Sequence, residues 1–379
     1  MEKFLPEICT IQYGFPFDSA KFSTSEGMPL IRIRDVVRGY SETFTTEEYK
    51  KEYVVNKDDL LIGMDGEFNI AKWGETPALL NQRVCRLIPT PEVDKNYLFY
   101  FMPNALKRIE EKTPFVTVKH LSAKELNKVK VPLPPLEEQR RIAAVLDKVS
   151  ELIAKRRAQL DKLDLLVKSR FVEMFGDPET NPMNWPIVEI GAITKTIDSG
   201  WSGNGTQREK KVGEIAVLKV SAVTKGYFIP EESKVLDDQQ NIKKYVFPQK
   251  GDLLFSRANT KEMVGATAII REDYPELILP DKLWKIRFSD TTNVVYMKYI
   301  LSSKAIRNKF SDASTGTSGS MYNVSMEKFK AIQIPMPGTS IQHQFASFVE
   351  SVEQSKLTIQ QSLDKLEMLK KALMQQYFG

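Results

Sequence analysis

Cysteine and histidine are nearly absent from this chain: Cys9, Cys85, His120 and His343 are all it has in 379 residues. So few ligand-type side chains argue against a disulfide framework and against a structural zinc site, which needs about four clustered ligands. Cysteine scarcity fits a reducing compartment. No stretch approaches the roughly 18 consecutive apolar residues of a membrane span. The opening segment, "MEKFLPEICTIQYGFPF", lacks a basic region followed by a long apolar run, so no secretory signal is expected. A cytoplasmic, soluble protein with no membrane contact is the expectation.

Chemical signatures are equally sparse. There is no Gly-x-x-x-x-Gly-Lys-Ser/Thr loop to cradle a phosphate, and "SGNGT" (202–206) does not continue into a dinucleotide fingerprint. "NPMNW" (181–185) superficially looks like the Asn-Pro-aromatic motif of amino-methyltransferases. Here Met183 and Asn184 follow Pro182, so the stacking aromatic is misplaced. Pro280 and Asp281 begin like a nuclease carboxylate motif, but no Glu-x-Lys follows in the same unit. His120 has no identifiable catalytic companion. No catalytic residue, no metal and no cofactor are therefore expected of the chain itself.

What the sequence does have is a duplication. "LDKLDLLVKSRFVEMFG" (160–176) returns as "LDKLEMLKKALMQQYFG" (363–379), identical at eight of seventeen positions. The correspondence starts at "VKVPLPPLEEQ" (129–139) and "IQIPMPGTSIQ" (332–342), at a constant offset of 203 without a gap. Pro132 thus pairs with Pro335, Pro134 with Pro337 and Gln139 with Gln342. After each proline cluster, apolar residues fall on heptad a/d positions: Ile142, Leu146, Val149, Ile153, Leu160, Leu163, Val167 and Met174 in the first copy. The second has Phe345, Val349, Val352, Ile359, Leu363, Leu366, Leu373 and Tyr377. Neither segment contains proline, and glycine stops both at Gly176 and Gly379. The pattern predicts two long coiled-coil helices, each of about 38 residues and roughly 57 Å.

The segments before the helices also correspond. "GMPLIRIRDVVRGY" (27–40) resembles "GEIAVLKVSAVTKGY" (213–227), and "NKDDLLIGMDG" (56–66) resembles "PQKGDLLFSRAN" (248–259). They are short, rich in β-formers and punctuated by Gly, Pro, Asn and Asp. The expected order is globular domain, long helix, linker, globular domain, long helix. If the helices bury their stripes on each other they run antiparallel, and Gly379 finishes near Met1. Such a pseudo-two-fold molecule matches the local two-fold symmetry of duplex DNA. A two-lobed protein-binding scaffold satisfies the same geometry.

"VKHLSAKELNKVKVPLPPLEEQRRIAAVLDKV" (118–149), "NQRVCRL" (81–87), "NWPIVEIGAI" (184–193) and "LPDKLWKIRF" (279–288) resemble the specificity subunits of Type I restriction–modification systems. The resemblance covers essentially the whole chain, although "MPGTSIQHQ" (336–344) lacks the Glu-Glu pair of the first copy. It implies an α+β fold: two similar, mostly-β globular target recognition domains joined by two long antiparallel coiled-coil helices with pseudo-two-fold symmetry. The domains would be residues 1–135 and 185–337, the helices 136–176 and 338–379, and the linker 177–184. The implied partners are double-stranded DNA, two methyltransferase (modification) subunits on the helices, and a motor/endonuclease (restriction) subunit through the complex. The function implied is non-catalytic recognition of an asymmetric bipartite target. A free-standing DNA-modifying enzyme is the further rival.

Phosphate contacts want Lys and Arg, while base edges want Arg on guanine and Asn or Gln on adenine. In the first domain the candidates on loops and strand ends are Arg32, Arg34, Lys72, Trp73, Asn81, Gln82, Arg83, Lys119 and His120. In the second they are Lys219, Arg257, Asn259, Lys261, Lys282, Tyr322 and Asn323, with the polar loop "STGTSGSMYN" (314–323) beside them. The charged stretches "EEQRR" (137–141) and "AKRRAQ" (154–159) are either solvated helix exterior or a docking strip.

Overall fold

The computed structural model describes residues 1–74, 77–113, 119–314 and 322–379. These form two compact units, one of residues 1–158 with 360–379 and one of residues 159–359. Two 40-residue helices, Leu136–Phe175 and Thr339–Phe378, each contribute to both units. Their first and last residues differ by 203, the offset of the sequence repeat.

In the first unit a four-stranded antiparallel sheet runs Cys9–Tyr13, Val84–Pro89, Leu60–Gly63, Asn69–Lys72. A five-stranded sheet runs Phe22–Ser23, Phe44–Thr45, Met28–Ile31, Ala78–Leu80, Val54–Val55, and its Met28–Ile31/Ala78–Leu80 pair is parallel. Leu60–Gly63 reads as an unbroken apolar run because both its faces are covered. Leu60 and Ile62 enter the main core, whereas Leu61 enters a second cluster around Ile31, Val36 and Trp73. Helix Lys95–Lys112 closes the main core and starts at Asp94, whose carboxylate accepts from the Asn96 and Tyr97 backbone N–H groups.

The same core takes both long helices. Ile142, Ala143 and Leu146 of the first pack in it with Leu373, Met374, Tyr377 and Phe378 of the second. Further along, Arg157 meets Glu367 at 2.6 Å. Rising numbers on one helix meet falling numbers on the other, so the pair is antiparallel within this unit. Phe378 is 4% exposed and lies edge-on to Tyr97, with ring centroids 5.3 Å apart.

The second unit repeats the plan. One antiparallel sheet runs Thr194–Ser199, Leu283–Phe288, Leu253–Ser256, Thr267–Ile269. Another runs Gly205–Thr206, Ser233–Leu236, Ala216–Leu218, Leu277–Ile278, with a parallel last pair. Leu253 and Phe255 enter one core and Leu254 the other, as in the first unit. Two helices, Val294–Ser302 and Lys304–Ala313, stand where the first unit has one. The break falls at Ser303, whose hydroxyl caps the second of them by accepting from the Ile306 N–H. Phe171, Phe175, Tyr296 and Phe345 form an aromatic cluster, and Asp164 meets Lys356 at 2.7 Å, so this helix pair is antiparallel too.

The seam departs from a uniform a/d stripe. Leu160, Leu163 and Met174 are half-buried, whereas Phe171 and Phe175 are buried. Tyr377 is half-buried where Phe378 is buried. At each end the helix turns its apolar side toward a globular core rather than toward its partner helix alone. Equivalent side chains fasten that join. Gln139 is 1% exposed; its amide donates to the carbonyls of Pro134 (2.9 Å) and Glu92 (3.2 Å), and its oxygen accepts from the Asp94 N–H (2.9 Å). Gln342, fully buried, donates to Pro337 (2.7 Å) and accepts from the Asn293 N–H (2.8 Å). Tyr97 and Tyr296 donate to the Pro132 and Pro335 carbonyls.

Replacing Gln342 by Ala strands a buried N–H and a buried carbonyl, each worth about 1–3 kcal/mol when left unpaired. Gln342→Ala should therefore lower the thermal unfolding midpoint clearly, while Gln354→Ala on the exposed helix face should not. Phe378→Ala removes a buried ring at a cost of about 3–5 kcal/mol. In differential scanning calorimetry it should destabilise the first unit; an unchanged thermogram would contradict the packing.

Candidate nucleic-acid interface

Parallel register sets the first loop cluster. Ile31 lies beside Leu80, so the chain leaves the five-stranded sheet at Arg32 and Asn81 side by side. Asn81 closes the turn that follows: its carbonyl accepts from the Val84 N–H (2.9 Å) and its side chain from the Gln82 N–H (2.8 Å). Arg83 passes its carbonyl to the Met64 N–H (3.0 Å), which brings the loop after Leu60–Gly63 alongside. There Asp65 forms an isolated β-bridge with His120. The Asp65 carboxylate takes His120 Nδ1 at 2.5 Å and approaches Arg83 Nε at 3.5 Å. Because a carboxylate only accepts, Nδ1 carries the proton and Nε2 is left for another partner. Four chain segments thus meet at one end of the unit, with Arg32, Gln82, Arg83 and His120 exposed.

The remaining first-unit candidates are engaged elsewhere or held nearby. Arg34 is exposed on helix Ile33–Arg38, with Nε 3.7 Å from Asp35 and Nη2 at 3.5 Å from the Thr43 hydroxyl. Lys119 donates to the Glu110 carbonyl (3.0 Å) and lies 3.5 Å from its carboxylate. Lys72 is set against the first long helix, 3.9 Å from Asp147 and above the Phe99 ring. Trp73, expected at the DNA surface, is instead fully buried among Ile31, Val36 and Leu61. It follows directly on strand Asn69–Lys72, and backbone bonds to Asp58 and Asp59 hold it there with the ring inside, where a bulky apolar group contributes more than at a wet edge.

The second unit builds the cluster again with other side chains. Val217 lies beside Ile278 in parallel register, so Leu218 and Leu279 are followed by Lys219 and the turn at Pro280–Lys282. The Arg257 N–H donates to the Lys282 carbonyl (3.1 Å), and Ala258–Asn259 pairs with Tyr322–Asn323. Arg257 donates through Nε to the Asp281 carbonyl (2.8 Å) and through Nη1 to Asn323 Oδ1 (3.0 Å). Its Nη2 lies 3.9 Å from the Asp281 carboxylate, which the Ser202 hydroxyl holds in turn. Asn259 accepts from the Thr260 N–H, and Lys261 is exposed on the following turn. Lys219 is neutralised by Glu232 at 2.7 Å; hydrogen bonding from Lys219 and Ser221 holds that carboxyl below its usual range. Residues 315–321 of the loop 314–323 lie outside the described residues.

The two clusters are topologically equivalent but chemically different. Where the first unit places the acid on the loop after the central strand (Asp65) and the cation on the turn (Arg83), the second places the cation on the loop (Arg257) and the acid on the turn (Asp281). Candidates chosen for positive charge or amide groups left out Asp65, Asp281 and Ser202. The available signal was an acid in a Gly- or Pro-containing turn, "GMDG" (63–66) and "PDK" (280–282). Among the described residues no three His, Cys, Asp or Glu side chains gather to hold a metal ion, and no helix is long and apolar enough to cross a membrane.

Comparison with known proteins agrees with this duplicated plan. The family model described as the Type I restriction modification DNA specificity domain matches residues 1–163 and again 182–368. The EcoBI specificity subunit of Escherichia coli is 39% identical over 166 residues, which is 43% of this chain and 35% of that protein. The chain thus matches only about a third of that relative's length. The MjaVIII specificity subunit of Methanocaldococcus jannaschii is 22% identical over 91% of this chain and 87% of its own. The crystal structure of a Type I restriction–modification S subunit from M. genitalium has the same fold, with a TM-score of 0.59 over 99% of this chain and 94% of that one at 12% identity. With both halves matched by one family model and the fold shared along its length, the chain belongs to the family of Type I restriction–modification DNA specificity proteins.

Proposed function

We propose that this chain supplies sequence specificity to a Type I restriction–modification complex. It binds an asymmetric bipartite site in double-stranded DNA, one half-site at each loop cluster. Its long helices dock two methyltransferase subunits, through which a motor/endonuclease subunit joins. Catalysis resides in those partners, and the complex works in the cytoplasm. The single observation that carries this is the pair of equivalent clusters: the same strand register and the same four chain segments present different hydrogen-bonding side chains. A constant scaffold with variable tips is what recognition of two unlike half-sites needs. Family membership favours this over a two-lobed scaffold for protein ligands and over a free-standing modifying enzyme.

Of the candidate residues, Arg32, Asn81, Gln82, Arg83 and His120 are assigned to the first half-site. Arg257, Asn259, Lys261, Lys282, Tyr322 and Asn323 are assigned to the second. Arg34, Lys119 and Lys219 flank the clusters as phosphate contacts, a role their partial neutralisation weakens.

Co-expression with a cognate methyltransferase subunit, followed by mapping of methylated bases, should give a two-part target. Exchanging residues 1–135 for those of another family member should change one part and leave the other intact. Absence of methylation, or a target unmoved by the exchange, would refute the proposal. Duplex binding should weaken steeply with salt, with log K falling by about 0.9 per neutralised phosphate for each unit of log salt. A protein-binding scaffold has no such slope toward DNA.

A further inference from the structure

The second cluster contains more information than its position. Arg257 has donors only. Asn323 must therefore turn Oδ1, its one acceptor, toward the guanidinium, as the 3.0 Å contact records. The amide cannot be flipped without setting donor against donor. The backbone bridge Ala258–Asn323 fixes where this side chain starts. The Asp281 carbonyl and carboxylate fix the far side of Arg257, and Ser202 fixes Asp281 through its hydroxyl. Asn323 Nδ2 has no partner among the described residues, and Arg257 keeps N–H groups beyond the two in use.

The exposed edge of this pair is thus all donor. An asparagine that reads adenine needs an acceptor for N6–H beside a donor for N7. Asn323 has already committed its acceptor. Guanine alone offers two adjacent major-groove acceptors, N7 and O6, whereas adenine and thymine each offer one beside a donor or a methyl group. Resting on the proposed role of the loop clusters, we propose that Arg257 and Asn323 read a guanine in the half-site bound by the second unit. Asp281 and Ser202 serve as positioning residues for that contact. Among the described residues the first unit has no such pair at the equivalent position. His120 stands where Asn323 does, but its partner is the carboxylate of Asp65. The guanine contact made by an Arg–Asn pair therefore belongs to the second unit's half-site.

The test uses the full chain in complex with a cognate methyltransferase and a pool of randomised duplexes. The wild-type complex should enrich a bipartite sequence in which the half unaffected by exchange of residues 1–135 contains an invariant guanine. Replacing that base with 7-deazaguanine, which keeps the pairing but removes N7, should weaken binding roughly tenfold or more. Asn323→Ala should lose about 10- to 100-fold of discrimination at that position and none in the other half-site. It should also become indifferent to 7-deazaguanine. Asp281→Asn separates positioning from charge: it removes a negative group, so binding to unrelated duplex should tighten while discrimination at the guanine falls. A merely structural Asp281 would give the opposite, a lower melting temperature and weaker binding to every duplex. A second half-site without guanine, one reading the A·T acceptors of the minor groove, or a 7-deazaguanine substitution without effect would overturn this inference and leave the wider function standing. Failure of the wild-type complex to enrich any sequence would overturn both.

Discussion

A buried glutamine at the start of each long helix holds the architecture together. Gln139 and Gln342 link the prolines that precede the helix to the loop that caps the neighbouring intradomain helix. Only a primary amide, with donors and an acceptor on one planar group, satisfies a carbonyl on one side and an N–H on the other. Because these side chains are out of water, an apolar substitute leaves the backbone groups unpaired, and a charged one adds a desolvation cost. The helix therefore leaves its globular unit in a fixed direction. The tyrosine bonds to Pro132 and Pro335 reinforce it.

A second repeated device stiffens the sheet that presents the loops. In the first unit Asp59 takes Arg86 at 2.8 Å and the Asn56 N–H at 2.9 Å. In the second, fully buried Asp252 takes Lys285 at 3.3 Å, Arg287 at 2.6 Å and the Gln249 N–H at 2.7 Å. Each pins the turn entering the central strand to the adjacent strand. The buried pair at Asp252 strongly resists loss of one partner, and the half-buried pair at Asp59 bridges the equivalent strands, so each fixes register. Register in turn decides which residues leave the sheet together, and so which side chains share the loop cluster. Shielded polar groups at equivalent positions in both units define the frame. Exposed polar groups, different in each, define the tips.

The helices show the same economy. Each is shared between the units, and each ends by turning an aromatic residue, Phe175 or Phe378, into a globular core. An antiparallel partner covers only a narrow stripe of a 40-residue helix. The cores at its ends supply the rest of the burial, which explains why the heptad pattern loosens there.

The duplication, the two long helices, and the matching prolines and glutamines were legible in the sequence. They depend on periodicity and chain connectivity, which are local properties. The residues at the cluster were legible only in part. Arg83, His120, Arg257 and Asn323 were visible as charged or amide groups near turns. Trp73 was misplaced because composition cannot tell which residues at the end of a short strand are covered. The acids Asp65 and Asp281 escaped notice because their work is to orient donors, a role defined by neighbours distant in sequence. Parallel pairing of Met28–Ile31 with Ala78–Leu80, and of Ala216–Leu218 with Leu277–Ile278, joins segments separated by tens of residues. Only tertiary structure decides such pairings, since they arise from shared burial rather than from any local preference. The sequence by itself determined that one module is written twice; the fold decided which side chains of each copy meet, and with what hydrogen-bonding face.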